Sequence, residues 1–91
     1  MIYELKNRVL ILRNGSRIKL TPLEHKLLIA ISDNTTTFYK TILLKMYGFD
    51  DEELKRSLAN VKKRIQKKTK QLKIRTVIDI GYRLETEIYF K

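Results

Sequence analysis

The first twenty residues alternate between apolar and polar positions in short runs, which is typical of β-strands. The segments IYEL and RVLILR are rich in apolar and β-branched residues, and RIKL alternates cleanly. Asn14 and Gly15 stand between the last two segments, and both residue types tolerate the positive φ angles of a type I′ turn. Residues 2–20 are therefore predicted to form an antiparallel sheet that opens the chain.

The period changes at Thr21, where a helix is predicted to begin. Threonine can cap a helix, Pro22 suits its first position, and Glu24 completes a capping box with Thr21. Apolar residues at helical spacing then fall on one face: Leu23, Leu27, Ala30 and Ile31. This first helix is expected to end near 32–34, and residues 35–37 form a polar break.

Two further helices follow the polar break. A short second helix is predicted from Phe38 to Tyr47, and Gly48 ends it. Its candidate core residues are Ile42, Leu43, Met46 and Tyr47. The acidic run 50–53 favours the N-terminal dipole of a third helix. The apolar stripe of that helix is Leu54, Leu58, Val61 and Ile65. Its opposite face carries Arg56, Ala59, Asn60, Lys63 and Lys67.

After Gln71 the chain returns to strand-like patterns. The segments LKIRTVI and YRLETEIYF flank Asp79-Ile80-Gly81 and are predicted to be the two strands of a hairpin. The order of strands, three helices and a hairpin predicts an α+β fold, a winged helix-turn-helix. We expect one domain over residues 1–91, with an N-terminal sheet at 2–20, a three-helix core at 21–71 and a wing hairpin at 72–90.

The charge of the chain narrows the functional classes. The formal net charge is +10, and the segment from Lys55 to Arg75 holds ten basic residues and no acidic one. This one-sided distribution predicts a surface that attracts polyanions, although a lysine-rich helix face that is only solvated would show it as well.

The chain has no cysteine, one histidine and no catalytic or glycine-rich phosphate motif, so neither an enzyme nor a metal site is expected. The start lacks a signal peptide and no apolar run is long enough for a membrane span, which favours the cytoplasm.

Three motifs, in this order, are similar to those of one family. LTPLEHKLL resembles the first-helix signature L-T-x-x-E-[aromatic]-x-L-L of the OmpR/PhoB-type winged-helix effector domains. LLKMYG resembles their second helix, which usually ends in tryptophan-glycine, and RTVIDIGYRL resembles their closing hairpin, usually T-V-R-G-x-G-Y-R-L. The resemblance spans about residues 2–88 and implies a transcription regulator that binds double-stranded DNA. The initial methionine, with no receiver domain before it, favours a stand-alone or ToxR-like order.

The resemblance implies that the third helix enters the DNA major groove. Its groove-facing side is then expected to carry Arg56, Asn60, Lys63 and Lys67. Arg56 can pair with guanine and Asn60 with adenine, while the two lysines are expected to reach phosphate. A salt bridge from Arg56 to the acidic residues one turn back, and a merely solvated Asn60, are the alternatives.

The resemblance also implies phosphate contacts from the second helix and the hairpin. These are expected from Tyr47, which stands where the family has tryptophan, and from Thr76 and Tyr82. The residues that add charge there are Lys62, Arg75 and Arg83. Tyr47 and Tyr82 could equally be core residues from which only the hydroxyl reaches out.

The sequence departs from the family pattern at two places. Ile78 and Asp79 replace the arginine-glycine pair of the wing, so the hairpin is expected to contact the backbone without reading the minor groove. The segment 48–51 is several residues shorter than the family's loop, which often contacts RNA polymerase, and this favours repression or activation by another surface. Phe49 is predicted to pack under that loop, and His25 is assigned no chemistry.

The expected partners are double-stranded DNA, further copies of the chain as a homodimer or in tandem on DNA, and RNA polymerase or a second regulator. No cofactor and no small-molecule substrate are expected. Two other classes stay open. A protein-interaction module would need an exposed apolar patch on the third helix, and an architectural protein or RNA binder without sequence preference would expose stacking aromatic residues on its sheet.

Overall fold

The N-terminal sheet forms as predicted but closes with a different turn. The computed structural model describes all 91 residues, beginning with β1 (Ile2–Glu4), β2 (Val9–Ile11) and β3 (Arg17–Lys19), which pair antiparallel in that order. Of Asn14 and Gly15, only Gly15 has a positive φ, of 86°, whereas a type I′ turn needs a positive φ at both residues. The predicted turn type is therefore wrong. The Gly15 N–H donates to Leu12 O over 3.0 Å, which makes a three-residue loop with a glycine bulge.

The three helices begin and end close to the predicted residues. They are α1 (Pro22–Ala30), α2 (Tyr39–Tyr47) and α3 (Glu52–Lys68). Both hydrogen bonds of the capping box between Thr21 and Glu24 are present, and Gly48 ends α2 with a φ of 84°. Asp51 caps α3 by accepting a hydrogen bond from the Glu53 N–H. The apolar faces of the helices pack on one core whose fully buried residues include Leu27, Leu28, Ile42, Leu43, Leu58 and Ile65.

A second sheet of three strands contains the wing. β4 (Thr37–Phe38) lies at one edge, β6 (Gly81–Leu84) in the middle and β5 (Ile74–Val77) at the other edge. The sequence pattern did not predict β4. Gly81 is required where the strands meet, because a Cβ at this position would lie 1.8 Å from the Thr37 carbonyl oxygen.

The predicted second strand of the hairpin is wrong beyond Leu84. The chain leaves the wing there, and β7 (Tyr89–Phe90) pairs parallel with β1 at the edge of the N-terminal sheet. Side chains take over the backbone hydrogen bonds at the break. Asn34 Nδ2 donates to the carbonyl oxygens of Leu84 and Thr86, and Thr86 Oγ1 accepts from the Lys73 N–H over 2.8 Å. No helix has the length and apolar character that crossing a membrane requires.

Candidate nucleic-acid interface

The exposed face of α3 carries the side chains predicted to read DNA. Leu58, Val61 and Ile65 point into the core. The opposite side is exposed and holds Arg56, Asn60, Lys63 and Lys67. The alternative salt bridge of Arg56 is not formed: Glu52 pairs with Lys55 over 3.1 Å, and Glu53 forms no ion pair. Arg56 therefore presents its full set of donors to solvent.

A half-buried ion pair connects the C-terminal end of α3 to the rest of the domain. The fully buried Glu24 accepts a hydrogen bond from Lys68 Nζ over 2.5 Å. Lys68 Nζ also donates to the Lys19 carbonyl oxygen over 3.0 Å. Burial by itself would raise the pKa of the Glu24 carboxyl, but the hydrogen bonds and charge of Lys68 and the capping contacts of Thr21 hold that pKa below its ordinary value. The Lys68 ammonium group is therefore occupied by contacts within the fold.

A shallow concavity lies along one side of the exposed face of α3. It encloses about 510 Å³ and is lined by Leu23, Tyr47, Ser57, Asn60, Val61, Lys63, Arg64 and Lys67. The Tyr47 hydroxyl is buried and has no hydrogen-bond partner within the chain. Burial raises the pKa of this hydroxyl, and the positive charge of Arg64 opposes the shift. Three cations, Lys63, Arg64 and Lys67, line the concavity, which is suitable chemistry for an anion.

Arg64 is the functional candidate that the sequence reasoning missed. Helical spacing places it between the apolar stripe and the opposite face, so neither pattern singles it out. Its position becomes meaningful only when α2 brings Tyr47 to the same concavity. The signal that could have identified Arg64 is a charged residue on one helix that lies next to a candidate aromatic contact on the neighbouring helix.

Two lysines on the other side of α3 lie over aromatic rings. Lys62 Nζ is 5.6 Å from the ring centroid of Tyr82, and Lys55 Nζ is 5.7 Å from that of Tyr39. The two rings meet edge to face, with their centroids 5.4 Å apart. Tyr82 is only 4% exposed, so its ring is a core residue, as the alternative for this position allowed. The cluster places the Lys62 charge over the ring of Tyr82, which lies on the middle strand of the second sheet.

The strand pairing separates the predicted phosphate contacts of the wing into two pairs. Thr76 lies opposite Tyr82, and Arg75 lies opposite Arg83 in the next register position. Because side chains alternate between the faces of a strand, the two arginines lie on the face that points away from the core. Arg75 also approaches Glu85 at 3.6 Å. Only Thr76 and Tyr82 share the inner face, on the side of α3.

The tip of the wing is apolar. Ile78 is 78% exposed, Asp79 beside it has a φ of 64°, and Phe38 on β4 is 63% exposed. Neither side chain at positions 78 and 79 offers a positive charge to a groove, in accord with the departure from the family pattern. The tip therefore has no cation that could be drawn into a narrow minor groove.

The loop between α2 and α3 exposes Phe49, so the prediction that it packs beneath the loop is wrong. The phenyl ring is 56% exposed. The segment between the helices comprises only residues 48–51, and its two ends are used as the caps of α2 and α3. The short segment has no length left with which to fold the ring back onto the core.

His25 packs against the N-terminal sheet. Its Nδ1 lies 2.6 Å from the hydroxyl of the fully buried Tyr3. Burial lowers the pKa of His25, and the charges of Arg8 and Lys26 lower it further. No group of three or more histidine, cysteine, aspartate or glutamate side chains lies close enough together to hold a metal ion.

Comparisons with known proteins agree with this architecture. No protein-family model matches the chain, and no curated protein matches it. Among solved structures, the crystal structure of the DNA-binding domain of Bacillus subtilis CssR is similar, with a TM-score of 0.74 and 30% sequence identity. The likeness covers 87% of this chain and 92% of that one. With the three sequence motifs and the same fold over most of its length, the chain belongs to the OmpR/PhoB-type family of winged helix-turn-helix domains.

Proposed function

We propose that the protein is a transcription regulator that binds double-stranded DNA with sequence preference, with α3 in the major groove and the wing against the backbone. The observation that carries the proposal is the exposed face of α3. Four polar or basic side chains share that face, and Arg56 is free of the carboxylates near it in sequence. The similarity to the DNA-binding domain of CssR supports the same function.

Base reading is assigned to Arg56 and Asn60. The major groove is wide enough for a helix and presents a distinct pattern of donors and acceptors for each base pair. Arginine can donate two hydrogen bonds to guanine, and asparagine can form a matched pair with adenine. The two residues are four positions apart on one face of α3, so they address neighbouring parts of one groove.

Phosphate binding is assigned to the two sides of the same helix. On one side, Lys63, Arg64 and Lys67 line the same concavity as Tyr47. The buried Tyr47 hydroxyl can donate to a phosphate oxygen once the atoms that cover it move aside. On the other side, Lys62 lies over the ring of Tyr82 on β6. These contacts fix the orientation of the helix without reading sequence.

The wing is assigned a supporting role on the backbone flank. Thr76 lies on the inner face, where a hydroxyl can contact phosphate, and Arg75 and Arg83 add positive charge from the outer face. Tyr82 contributes by packing beneath Lys62. The apolar tip gives no means of minor-groove reading by charge.

The proposed DNA binding determines which further partners and which cellular location are expected. One helix reads few base pairs, so selective binding across a genome requires two copies of the domain, arranged as a homodimer or in tandem. RNA polymerase or a second regulator is the expected protein partner, and the expected location is the cytoplasm, on the nucleoid.

A protein-interaction role is the second candidate because of exposed apolar side chains on the wing. Phe38, Ile78 and Ile80 are all exposed at the same end of the second sheet. Such clusters on small domains mark contact surfaces. The exposed face of α3 carries no comparable apolar residue, which favours DNA for that helix.

Selection of bound fragments from a genomic DNA library, at two salt concentrations and against random DNA, tests the proposal. We expect a recurrent sequence motif that persists at the higher salt, because base contacts add to the phosphate contacts. Uniform binding that collapses with salt would leave only the charge and would favour an architectural protein. Absence of DNA binding at both concentrations would favour the protein-interaction role.

A further inference from the structure

The exposed face of α3, which carries Arg56, Asn60, Lys63 and Lys67, begins with a carboxylate. Glu53 lies three residues before Arg56 and seven before Asn60, and Lys63 and Lys67 continue the same alternation of three and four positions. Residues at this spacing form one stripe along a helix. All five side chains of the stripe are exposed. An acidic group therefore stands in line with the residues assigned to the bases.

The two glutamates at the start of α3 differ in their contacts. Glu52 holds Lys55 at 3.1 Å and so turns toward the flank where Lys55 covers Tyr39. Glu53 forms no ion pair, although Arg56 is exposed beside it; its own N–H donates to the Asp51 carboxylate over 2.9 Å. The backbone of Glu53 is thus fixed by the helix cap while its carboxylate is unoccupied.

A carboxylate in this place meets two donors in the major groove, the N4 amino group of cytosine and the N6 amino group of adenine, and cytosine is the better partner because adenine presents the N7 acceptor beside its donor. Phosphate repels a carboxylate, and the guanine N7 and O6 atoms and the thymine O4 atom are acceptors that cannot bond to it. The exocyclic N4 amino group of cytosine donates into the major groove, and glutamate is suited to accept from it. On the basis of the proposed function, we infer that Glu53 is a specificity-determining residue that reads cytosine.

The spacing also relates this cytosine to the base read by Arg56. Three residues of α-helix advance about 4.5 Å along the axis, which is close to the roughly 3.4 Å between successive base pairs. Glu53 and Arg56 therefore address neighbouring base pairs, one through a cytosine and the other through a guanine. The positive Arg56 beside Glu53 also reduces the repulsion between the carboxylate and the DNA backbone.

Glu53 would act against wrong sequences as well as for the right one. Where the base opposite Glu53 has no donor, its charge enters the groove uncompensated, and binding is weakened. For a chain with a net charge of +10, such a penalty limits the strong binding to arbitrary DNA that the charge promotes. The proposal thus gives a reason for acidic residues at the front of a basic helix.

The test compares Glu53→Gln with the matched variant Glu52→Gln by selecting bound sequences from a randomised duplex library. Both substitutions remove one negative charge from the first turn of α3, so both raise the affinity for random DNA, and Glu53→Gln raises it more because Glu52 is already paired with Lys55. Only Glu53→Gln is expected to change a base preference. One position of the motif should shift from cytosine to adenine, because glutamine pairs with adenine in the major groove, with a change of about tenfold in the cytosine-to-adenine ratio.

The outcomes separate this inference from the proposed function. A wild-type motif that Glu53→Gln leaves unaltered at every position would overturn the inference while leaving sequence-specific binding intact. An equal change of motif in Glu52→Gln would overturn it too, because the effect would then come from charge alone. If the wild-type chain selects no motif, the proposed function itself fails. Thermal unfolding of both variants confirms that α3 is still formed.

Discussion

Replacement of Tyr47 by phenylalanine should stabilise the protein and weaken its binding to DNA. The Tyr47 hydroxyl is buried without a partner in the chain. A buried hydroxyl that makes no hydrogen bond costs about 1–3 kcal/mol. Because the Tyr47 side chain is only partly buried, we expect the lower end of that range, so Tyr47→Phe should raise the free energy of unfolding by about 1 kcal/mol.

The same hydroxyl should be satisfied in the complex. A hydrogen bond to a charged phosphate contributes about 1.5–3 kcal/mol, so the substitution should weaken binding by about tenfold to a hundredfold. Since the contact is to phosphate, the loss should be equal on cognate and random DNA. The ring, which packs against the core, is retained in the variant.

Urea denaturation and DNA titration of the same preparations measure the two effects. Tyr89→Phe is the matched control, because Tyr89 is exposed and lies on β7, away from α3; neither its stability nor its affinity should change. The reasoning is refuted if Tyr47→Phe lowers stability and leaves the affinity unchanged. That pair of results would mean that the hydroxyl serves the fold and not the ligand.

Other substitutions test the remaining assignments. Arg56→Ala and Asn60→Ala should each weaken a cognate site by about 1–3 kcal/mol and spare random DNA; equal losses on both DNAs in a titration would exclude base reading. Lys63→Ala should lower the slope of log affinity against log salt by about one unit on every sequence, and an unchanged slope would show that it touches no phosphate. Glu24→Gln should lower the free energy of unfolding by about 1–3 kcal/mol, because Lys68 then loses its charged partner. The pKa of Glu24 is depressed in the fold, so its contribution is complete above its ordinary pKa of 4.5 and is lost as the pH falls below that value. The free energy of unfolding, measured by denaturation at several pH values, should therefore depend less on pH below about pH 5 in Glu24→Gln than in the wild type. Lys68→Met should weaken or reverse that dependence, because burial then raises the pKa of Glu24 without Lys68 to oppose it.

The sequence predicted the elements whose signals are local. The capping box at Thr21 and Glu24, the glycine that ends α2 and the acidic start of α3 each depend on a few adjacent residues, and all are present. The apolar stripe of α3 likewise separates its buried side from its exposed side by spacing alone. The exposed face of α3 could therefore be predicted without the structure.

The elements that the sequence did not predict depend on distant partners. β4 has only two residues and no pattern of its own, and it forms because β6 accepts it as a neighbour. From Tyr82 to Phe90 the even positions are apolar except Thr86 and the odd positions are polar except Tyr89, so the pattern still favours a single strand. The strand nevertheless breaks, because Asn34 and Thr86 form side-chain hydrogen bonds where the ladder would continue. Such competition between side chains and backbone cannot be read from periodicity.

The candidate site shows the same division between local and distant information. Period-two alternation, a local property, could have separated Arg75 and Arg83 from Thr76 and Tyr82, since neighbours in a strand face opposite ways. The concavity around Tyr47 could not have been predicted, because it needs α2 and α3 to meet at a particular angle.

The arrangement of charge on α3 is suited to the role proposed for this helix in a highly charged chain. Positive charge at the C-terminal end of a helix and negative charge at its N-terminal end both stabilise it, so the fold alone would accept the observed order from Glu52 to Lys68. The fold does not require that the residues between the ends leave their donors unpaired, yet Arg56 has no ion pair despite two glutamates within one turn. An exposed pair of this kind would contribute only about 0.3–0.5 kcal/mol to stability, far less than a base contact contributes to binding. An Arg56 without an ion pair loses little stability and retains its full hydrogen-bonding capacity for DNA.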